Sequence, residues 1–269
     1  MSIRVLVNGA AGRMGKTTVA AIADDKELQL VGESHRKDNL KKCIHAAKAE
    51  LVIDFTNAAV VFENTKDIIL AGAHPVIGTS GLLPNQIKKL QKICAEKKLG
   101  AIIAPNFCMG ALLMMRFAEQ AAHYFPEVEI IETHHEKKLD APSGTALKTA
   151  EMIALARKKN PSSKKIHETL PGSRGASKNQ VPIHSLRLPG FLAKQAIIFG
   201  HLGGNLSIIH ETIDRNAFMP GVLLACKKVM QLKKLVLMIE NFQHFLANIH
   251  WKSLKISTNT ETFFFYFMK

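Results

Sequence analysis

The chain has 269 residues, of which 47% are hydrophobic and 22% charged, and these proportions exclude a disordered, collagen-like or coiled-coil protein. Its net charge of +14 favours anionic partners, but no long basic run or interleaved aromatic residues indicate nucleic acid binding. No stretch approaches the roughly 18 apolar residues of a membrane span, and four cysteines without Cys-x-x-Cys spacing predict a reduced, cytoplasmic protein.

The first forty residues predict a dinucleotide-binding βαβ unit. A β-branched strand over residues 3–7 precedes the turn Gly9-Ala-Ala-Gly12-Arg-Met-Gly15, a helix over 16–23 and a strand over 28–31. Glycines allow the backbone to turn sharply and approach a pyrophosphate, whose charge then sits at the helix N-terminus. The Gly-x-x-Gly-x-x-Gly spacing is a variant of the usual fingerprint, so a glycine turn without function is the alternative.

Strand and helix continue to alternate up to residue 104. Strands are predicted over residues 50–56, 75–78 and 100–104, and helices over 60–71 and 84–97. This order is typical of a parallel sheet, in which ligands bind beyond the carboxyl ends of the strands. The polar strand tips are therefore expected to converge on one crevice, with chance placement of loop residues as the alternative: Asp54-Phe55-Thr56, Gly78-Thr79-Ser80-Gly81 and Pro105-Asn106-Phe107.

The pattern changes after Asn106. A strand is predicted over 127–133, helices over 110–123, 146–156 and 219–229, and a polar loop over 158–180. Three alternating runs over 182–188, 195–199 and 205–213 predict an antiparallel open sheet. The chain as a whole predicts an α/β fold, with an N-terminal Rossmann-type parallel sheet followed by an α+β domain with an open mixed sheet.

The segment 132–145 has the highest density of reactive groups. His134 and Lys138 could act as proton donors in one strand-end loop. The Ser143-Gly144-Thr145 turn, which opens a helix, could offer N–H groups and hydroxyls to a carboxylate. Adjacent residues of a strand point to opposite faces, so His134 and His135 predict no metal site. The alternative is that these residues are surface side chains with no role in catalysis or anion binding.

The run Glu132-Thr-His-His-Glu-Lys-Lys-Leu-Asp-Ala-Pro-Ser-Gly-Thr145 resembles the signature of the 4-hydroxy-tetrahydrodipicolinate reductases, also called dihydrodipicolinate reductases, of bacterial lysine and diaminopimelate synthesis. The resemblance covers residues 1–242. It implies reduction of 4-hydroxy-tetrahydrodipicolinate, or the derived dihydrodipicolinate, to tetrahydrodipicolinate by hydride transfer from NAD(P)H. It also implies a small dicarboxylate substrate and a homotetramer, without nucleic acid or membrane partners.

The resemblance also implies how the chain is divided. Residues 1–105 with 216–242 would form the dinucleotide-binding domain, with a closing helix near 219–240. Residues 106–215 would form the substrate-binding and oligomerisation domain. Residues 243–269 have no counterpart in the family and form a C-terminal extension of unknown structure, which ends in an aromatic run.

The family's functional positions fall on a defined set of residues. The catalytic histidine falls on His134, and the lysine that serves with it on Lys138. Substrate-binding positions fall on His135, Ser143, Gly144 and Thr145. No metal is implied. Cofactor-binding positions fall on Gly9, Ala11, Gly12, Arg13, Met14, His35, Arg36, Phe55, Gly78, Thr79, Ser80, Ala104, Asn106 and Phe107.

The end of the second strand distinguishes the two nicotinamide cofactors. An acidic residue there binds the ribose 2′-hydroxyl of NADH, whereas an arginine accommodates the 2′-phosphate of NADPH. This position falls on His35, followed by Arg36 and Lys37. The sequence therefore predicts a preference for NADPH, with NADH as the second cofactor. Glu33 is the alternative occupant if the alignment shifts by two residues.

Two departures from the family pattern lie in the sheet expected to form the oligomer face. Lys194 stands where the family often has histidine, and Gly204 replaces the usual glutamate. Two other functions remain as alternatives. One is a different Rossmann-fold NAD(P)-dependent dehydrogenase acting on a small anionic substrate. The other is a non-enzymatic protein that senses nucleotides or binds nucleic acid through its basic surface.

Overall fold

The computed structural model describes residues 2–104, 106–157 and 167–239. Strands and helices alternate strictly in the first part of the chain. The elements are β1 (Ile3–Asn8), α1 (Arg13–Ala23), β2 (Leu28–Ser34), α2 (Leu40–Ala47), β3 (Leu51–Asp54), α3 (Val61–Leu70), β4 (His74–Ile77), α4 (Pro84–Lys97) and β5 (Ala101–Ile103).

The remaining elements form a second group. They are α5 (Met109–Ala121), β6 (Glu127–His134), α6 (Gly144–Ala156), β7 (Ala176–Lys178), β8 (Val181–Arg187), β9 (Ala193–His201), β10 (Gly204–Thr212), a 3₁₀ helix (Arg215–Phe218), α7 (Met219–Val229) and β11 (Leu235–Leu237). No helix among the described residues combines the length and apolar composition needed to cross a membrane.

The first sheet has six parallel strands in the order β11-β5-β4-β3-β1-β2. Every residue of β3 and β5 is buried, because helices cover both faces of a parallel sheet. The chain moves outward in one direction from β1 to β2 and in the other from β3 to β4. Ligands bind at such a reversal, beyond the carboxyl ends of the strands. The predicted Rossmann-type sheet is confirmed.

The second sheet has the order β10-β9-β6-β8-β7 and is mixed. Strand β9 runs antiparallel to both β6 and β10, as predicted, whereas β8 lies on the other side of β6 and runs parallel to it. The predicted open mixed sheet is confirmed. The narrower expectation of antiparallel pairing is wrong only for the pair of β8 with β6, because β8 is antiparallel to β7. Helix α6 lies between β6 and β8 in the chain, in the crossover connection that a parallel pair requires.

Two short elements were not expected from the sequence. Helix α2 was not expected; Asn39 caps it by accepting a hydrogen bond from the Lys42 amide at 3.1 Å. Strand β7 lies within the segment predicted to be a loop, and residues 158–166 of that segment lie outside the described residues. Short elements such as these carry too few residues for a clear periodic pattern.

Helix α7 is shorter than the closing helix that the resemblance implies near 219–240. Helix α7 ends at Val229, and β11 then pairs in parallel with β5. Helix α7 packs against α1, and Lys227 forms ion pairs with Asp25 at 3.0 Å and Glu27 at 2.6 Å. The C-terminal extension 243–269 lies outside the described residues, and the domain boundaries stay a prediction.

Candidate active site

Two adjoining cavities lie where the first sheet meets the second. One, the loop cavity, has a volume of about 370 Å³ and is lined by Gly12, Arg13, Met14, Phe55, Thr56, Asn57, Ala58, Gly78, Thr79, Ser80 and Arg215. The other, the inter-sheet cavity, has a volume of about 350 Å³. Met14, Phe55, Gly78 and Arg215 line both, so the two cavities are neighbouring parts of one cleft.

The loop cavity lies at the N-terminus of α1. Gly12 occupies the N-cap position and has no side chain with which to cap the helix. No acidic residue occurs in the first turn. A Cβ atom on Gly15 would lie 2.2 Å from the Gly9 carbonyl oxygen, so only glycine lets the helix pack this closely on the turn. The helix start is thus open to an anion, and these residues fit the pyrophosphate of a dinucleotide.

A buried hydrogen-bond network holds the walls of the loop cavity. The fully buried Asp54 carboxylate accepts hydrogen bonds from Asn8 Nδ2 at 2.8 Å, Thr79 Oγ1 at 2.6 Å and Thr56 Oγ1 at 2.7 Å. Ser34 Oγ donates to Asn8 Oδ1 at 2.7 Å. The network therefore connects the ends of β2, β1 and β3 with the loop after β4, and satisfied buried networks of this kind rigidify their surroundings.

The inter-sheet cavity joins residues from both parts of the chain. Asn106, which follows β5, donates from Nδ2 to Thr145 Oγ1 on α6 at 3.3 Å. The predicted site residues that line this cavity are Met14, Phe55, Gly78, Ala104, Asn106, Phe107, His134, His135, Lys138, Ser143 and Thr145. The predicted cofactor and substrate residues thus meet in one space.

Glu132 is the centre of the hydrogen bonds around His134. Both residues lie on β6 two positions apart, so their side chains share one face of the sheet. Glu132 is fully buried, and its Oε2 lies 2.5 Å from His134 Nδ1. Arg187, from the end of β8, donates to both carboxylate oxygens at 2.9 and 3.1 Å. The carboxylate therefore fixes the orientation of the imidazole ring through Nδ1, and Nε2 is the ring nitrogen that does not contact the carboxylate.

Competing effects set the charge of Glu132. Burial alone would raise its pKa, but hydrogen bonds from His134, and then from Arg187 and Ser185, lower the pKa from 4.5 to about 2. The carboxylate is consequently ionised at neutral pH and can only accept hydrogen bonds. His134 Nδ1 must therefore carry the proton that it shares with Glu132.

The loop after β6 is held by the same arginine. Arg187 donates to the backbone carbonyl oxygens of Lys138 at 3.3 Å and Asp140 at 2.6 Å. Lys138 Nζ lies 2.8 Å from both carboxylate oxygens of Asp140, and this hydrogen bond lowers the pKa of Asp140. Ser143 caps α6 by accepting a hydrogen bond from the Ala146 amide at 3.2 Å. Because Ser143 and Thr145 line the inter-sheet cavity, the start of α6 faces this cavity.

Five of the predicted site residues line neither cavity. Gly9 and Ala11 lie within the turn before α1, and Gly144 lies between the lining residues Ser143 and Thr145. His35 and Arg36 are exposed directly after β2. The roles assigned to all the predicted site residues, including these five, stay predictions.

Other cleft residues were not selected from the sequence. Glu132 could have been found, because alternation along a strand places it beside His134. Arg187 could not, since its position depends on the pairing of β8 with β6. His210 lines the inter-sheet cavity from β10, with Nε2 3.4 Å from Cys108 Sγ. Across the part of the chain that the structure describes, no three His, Cys, Asp or Glu residues form a potential metal site.

Comparison with known proteins identifies relatives along both parts of the chain. Models of the dihydrodipicolinate reductase N-terminus and C-terminus match residues 3–107 and 110–242. The chain is 53% identical over 241 residues to a 4-hydroxy-tetrahydrodipicolinate reductase of Legionella pneumophila (strain Corby), covering 90% of this chain and 99% of the relative.

Solved structures agree with these matches. A dipicolinate-bound dihydrodipicolinate reductase from Paenisporosarcina sp. TG-14 superposes with a TM-score of 0.81 at 40% identity, covering 89% of this chain and 99% of that one. An apo scyllo-inositol dehydrogenase from Lactobacillus casei gives a TM-score of 0.58 at 13% identity, covering 91% and 94%. The second likeness concerns the fold alone.

We expect Glu132 to contribute stability that depends on pH. Its folded-state pKa lies below 4.5, so the contribution is fully present above about pH 4.5 and disappears as the pH falls towards about 2. On the order of 3 kcal/mol should be lost over this interval. Urea denaturation at several pH values should show this decline in the wild type and a smaller one in Glu132→Gln. The control Glu63→Gln replaces a carboxylate whose side chain is 63% exposed, and its decline should match the wild type. An unchanged decline in Glu132→Gln would contradict the expectation.

Proposed function

The chain belongs to the dihydrodipicolinate reductase family, and from this premise we propose that it reduces 4-hydroxy-tetrahydrodipicolinate, or the derived dihydrodipicolinate, to tetrahydrodipicolinate with NAD(P)H, in lysine and diaminopimelate biosynthesis. One observation carries the proposal. His134, oriented by an ionised buried carboxylate, faces a cavity that continues to the open N-terminus of α1.

The loop cavity supports binding of the dinucleotide. Gly12 and Arg13 at the start of α1 would hold the pyrophosphate, and Thr79, fixed by Asp54, would line the nicotinamide side. A bound reduced nicotinamide supplies the hydride. The residues that line both cavities, Met14, Phe55, Gly78 and Arg215, would keep that cofactor beside the inter-sheet cavity.

The inter-sheet cavity supports binding of a dicarboxylate. Ser143 and Thr145 stand at the N-terminus of α6, where backbone N–H groups and the helix dipole favour a carboxylate, and Lys138 adds a positive charge nearby. The relative from Paenisporosarcina is described as bound to dipicolinate, which is a dicarboxylate. His135 lines the same cavity and would contact the substrate.

His134 would donate the proton that accompanies hydride transfer to dihydrodipicolinate, which the 4-hydroxy compound becomes when its hydroxyl group leaves as water. Its Nδ1 proton is held by Glu132, so a proton delivered to the substrate comes from Nε2. After the transfer the neutral ring keeps its hydrogen bond to Glu132. Lys138 would assist, and its ion pair with Asp140 fixes the ammonium in the loop beside the histidine.

The residues after β2 support a preference for NADPH over NADH. His35, Arg36 and Lys37 are exposed there, close to the turn before α1, since the Gly9 amide donates to the Ser34 carbonyl oxygen at 2.9 Å. A 2′-phosphate would find cationic side chains at this position.

We also propose a homotetramer, assembled through the open face of the second sheet. Strand alternation directs Leu186, Ile198 and Ile209 away from the face that carries His134. They are 39%, 36% and 59% exposed, which leaves an apolar surface for a second copy. A cytoplasmic location is proposed as well, because Cys94, Cys108 and Cys226 are free thiols.

His134→Gln should lower kcat by about 100-fold or more while changing the affinity for NADPH little, because the glutamine cannot donate a proton to the substrate. The assay couples the protein to a synthase that condenses pyruvate with aspartate semialdehyde, and follows the loss of NADPH absorbance. Unchanged turnover would remove His134 from the mechanism. No turnover by the wild type, combined with turnover of another small anionic substrate, would refute the proposed function.

The ratio of kcat/KM for NADPH to kcat/KM for NADH should exceed one in the wild type. Arg36→Ala should lower kcat/KM for NADPH by about tenfold and leave NADH nearly unaffected, since only NADPH carries the 2′-phosphate. Lys92→Ala, on the exposed side of α4, is the control for general charge loss. A wild type that prefers NADH would refute this preference.

Ile209→Glu should reduce the molecular mass in solution from four chains towards smaller species, because the change buries a charge within the proposed interface. Sedimentation equilibrium measures the mass directly. Leu70→Glu replaces another exposed apolar residue, which is 44% exposed on helix α3, and should leave the mass unchanged. A monomeric wild type would rule out the tetramer.

A further inference from the structure

Arg215 stands at the boundary between the two cavities and lines both of them. It is the first residue of the 3₁₀ helix, directly between β10 of the second sheet and α7, which packs on the first. Asp214 caps this helix by accepting a hydrogen bond from the Asn216 amide at 2.7 Å. The backbone that carries Arg215 is therefore anchored on both sides of the cleft.

The charge of Arg215 is not neutralised by a neighbour. Three Lys and Arg residues line the inter-sheet cavity, and two of them are paired: Lys138 with Asp140 at 2.8 Å, and Lys194 with Glu211 at 3.2 Å. Within residues 2–104, 106–157 and 167–239, Arg215 makes no ion pair and no side-chain hydrogen bond, although it is half-buried. An unpaired guanidinium can bind an oxyanion, since its two parallel N–H groups match the spacing of two acceptor oxygens.

Ligands that occupy the cleft would bring such oxyanions. A dinucleotide in the loop cavity carries phosphates, and a dicarboxylate in the inter-sheet cavity carries carboxylates. Arg13 is the other Arg or Lys that lines the loop cavity, at the start of α1. Arg215 thus adds a second positive charge to the loop cavity and an unpaired one to the inter-sheet cavity.

We propose that Arg215 is a ligand-binding residue that holds an oxyanion where the dinucleotide and the dicarboxylate meet. This inference rests on the proposed function, because it requires both ligands in the cleft. The shared chemistry is a bidentate guanidinium–oxyanion contact, and the oxyanion is either a dinucleotide phosphate or a substrate carboxylate. Because the side chain lines both cavities, a ligand in one cavity would position it for the other.

The test uses the full chain and two probes, NADPH and dipicolinate. Dissociation constants are measured by calorimetry for NADPH alone and for dipicolinate added to the NADPH-bound protein. The variants are Arg215→Gln, which removes the charge, and Arg215→Lys, which keeps the charge without the fork. Lys89→Gln, on the exposed face of α4, removes a charge at a position that lines neither cavity. Thermal unfolding of each variant checks that the fold is retained.

Arg215→Gln should weaken at least one of the two probes by about tenfold or more, as expected for a lost hydrogen bond to a charged group. Weaker binding of NADPH alone identifies a phosphate as the oxyanion, and weaker binding of dipicolinate identifies a carboxylate. Arg215→Lys should recover part of the loss.

Two results would overturn the proposal. The first is that both probes bind Arg215→Gln as tightly as they bind the wild type. The second is that Lys89→Gln weakens the binding of the probes as much as Arg215→Gln does. Failure of the wild type to bind either probe would instead count against the proposed function. The two failures are therefore distinguished by the wild type alone.

Discussion

The site depends on one buried carboxylate. Glu132 lies inside the protein and is ionised, a state that burial opposes, and it is stabilised because His134, Arg187, Ser185 and the backbone amide of Ser143 donate to it. The contacts with His134 and Arg187 also position groups at the proposed catalytic site. The histidine acquires one orientation, and the arginine is held where it also fastens the backbone of the loop at Lys138 and Asp140.

A second buried carboxylate has a comparable position in the other part of the cleft. Asp54 gathers hydrogen bonds from strand ends and from the loop after β4, directly beneath the residues that line the loop cavity. Parallel strands end at one edge of the sheet, so a single acceptor there can hold several loops. In each half of the cleft, a buried carboxylate therefore accepts several hydrogen bonds and positions the groups that line the cavity.

The two halves of the cleft also meet directly. Asn106 reaches Thr145 across the cleft, and Arg215 stands where the chain returns from the second sheet to the first. An open cleft bordered by unpaired cations suits ligands that carry their own negative charge, because the ligands then complete the interactions between the halves. The excess of positive charge in the sequence is consistent with such anionic ligands.

The sequence by itself determined the order of most strands and helices, the glycine turn and the reactive segment 132–145. These depend on local spacing, and periodicity and backbone sterics act within a few residues. Only the tertiary structure decided that β8 pairs in parallel with β6 and that Arg187 reaches Glu132. It also decided that Arg215 borders both cavities. Contacts between distant parts of the chain depend on which strands become neighbours, and no local pattern encodes that choice.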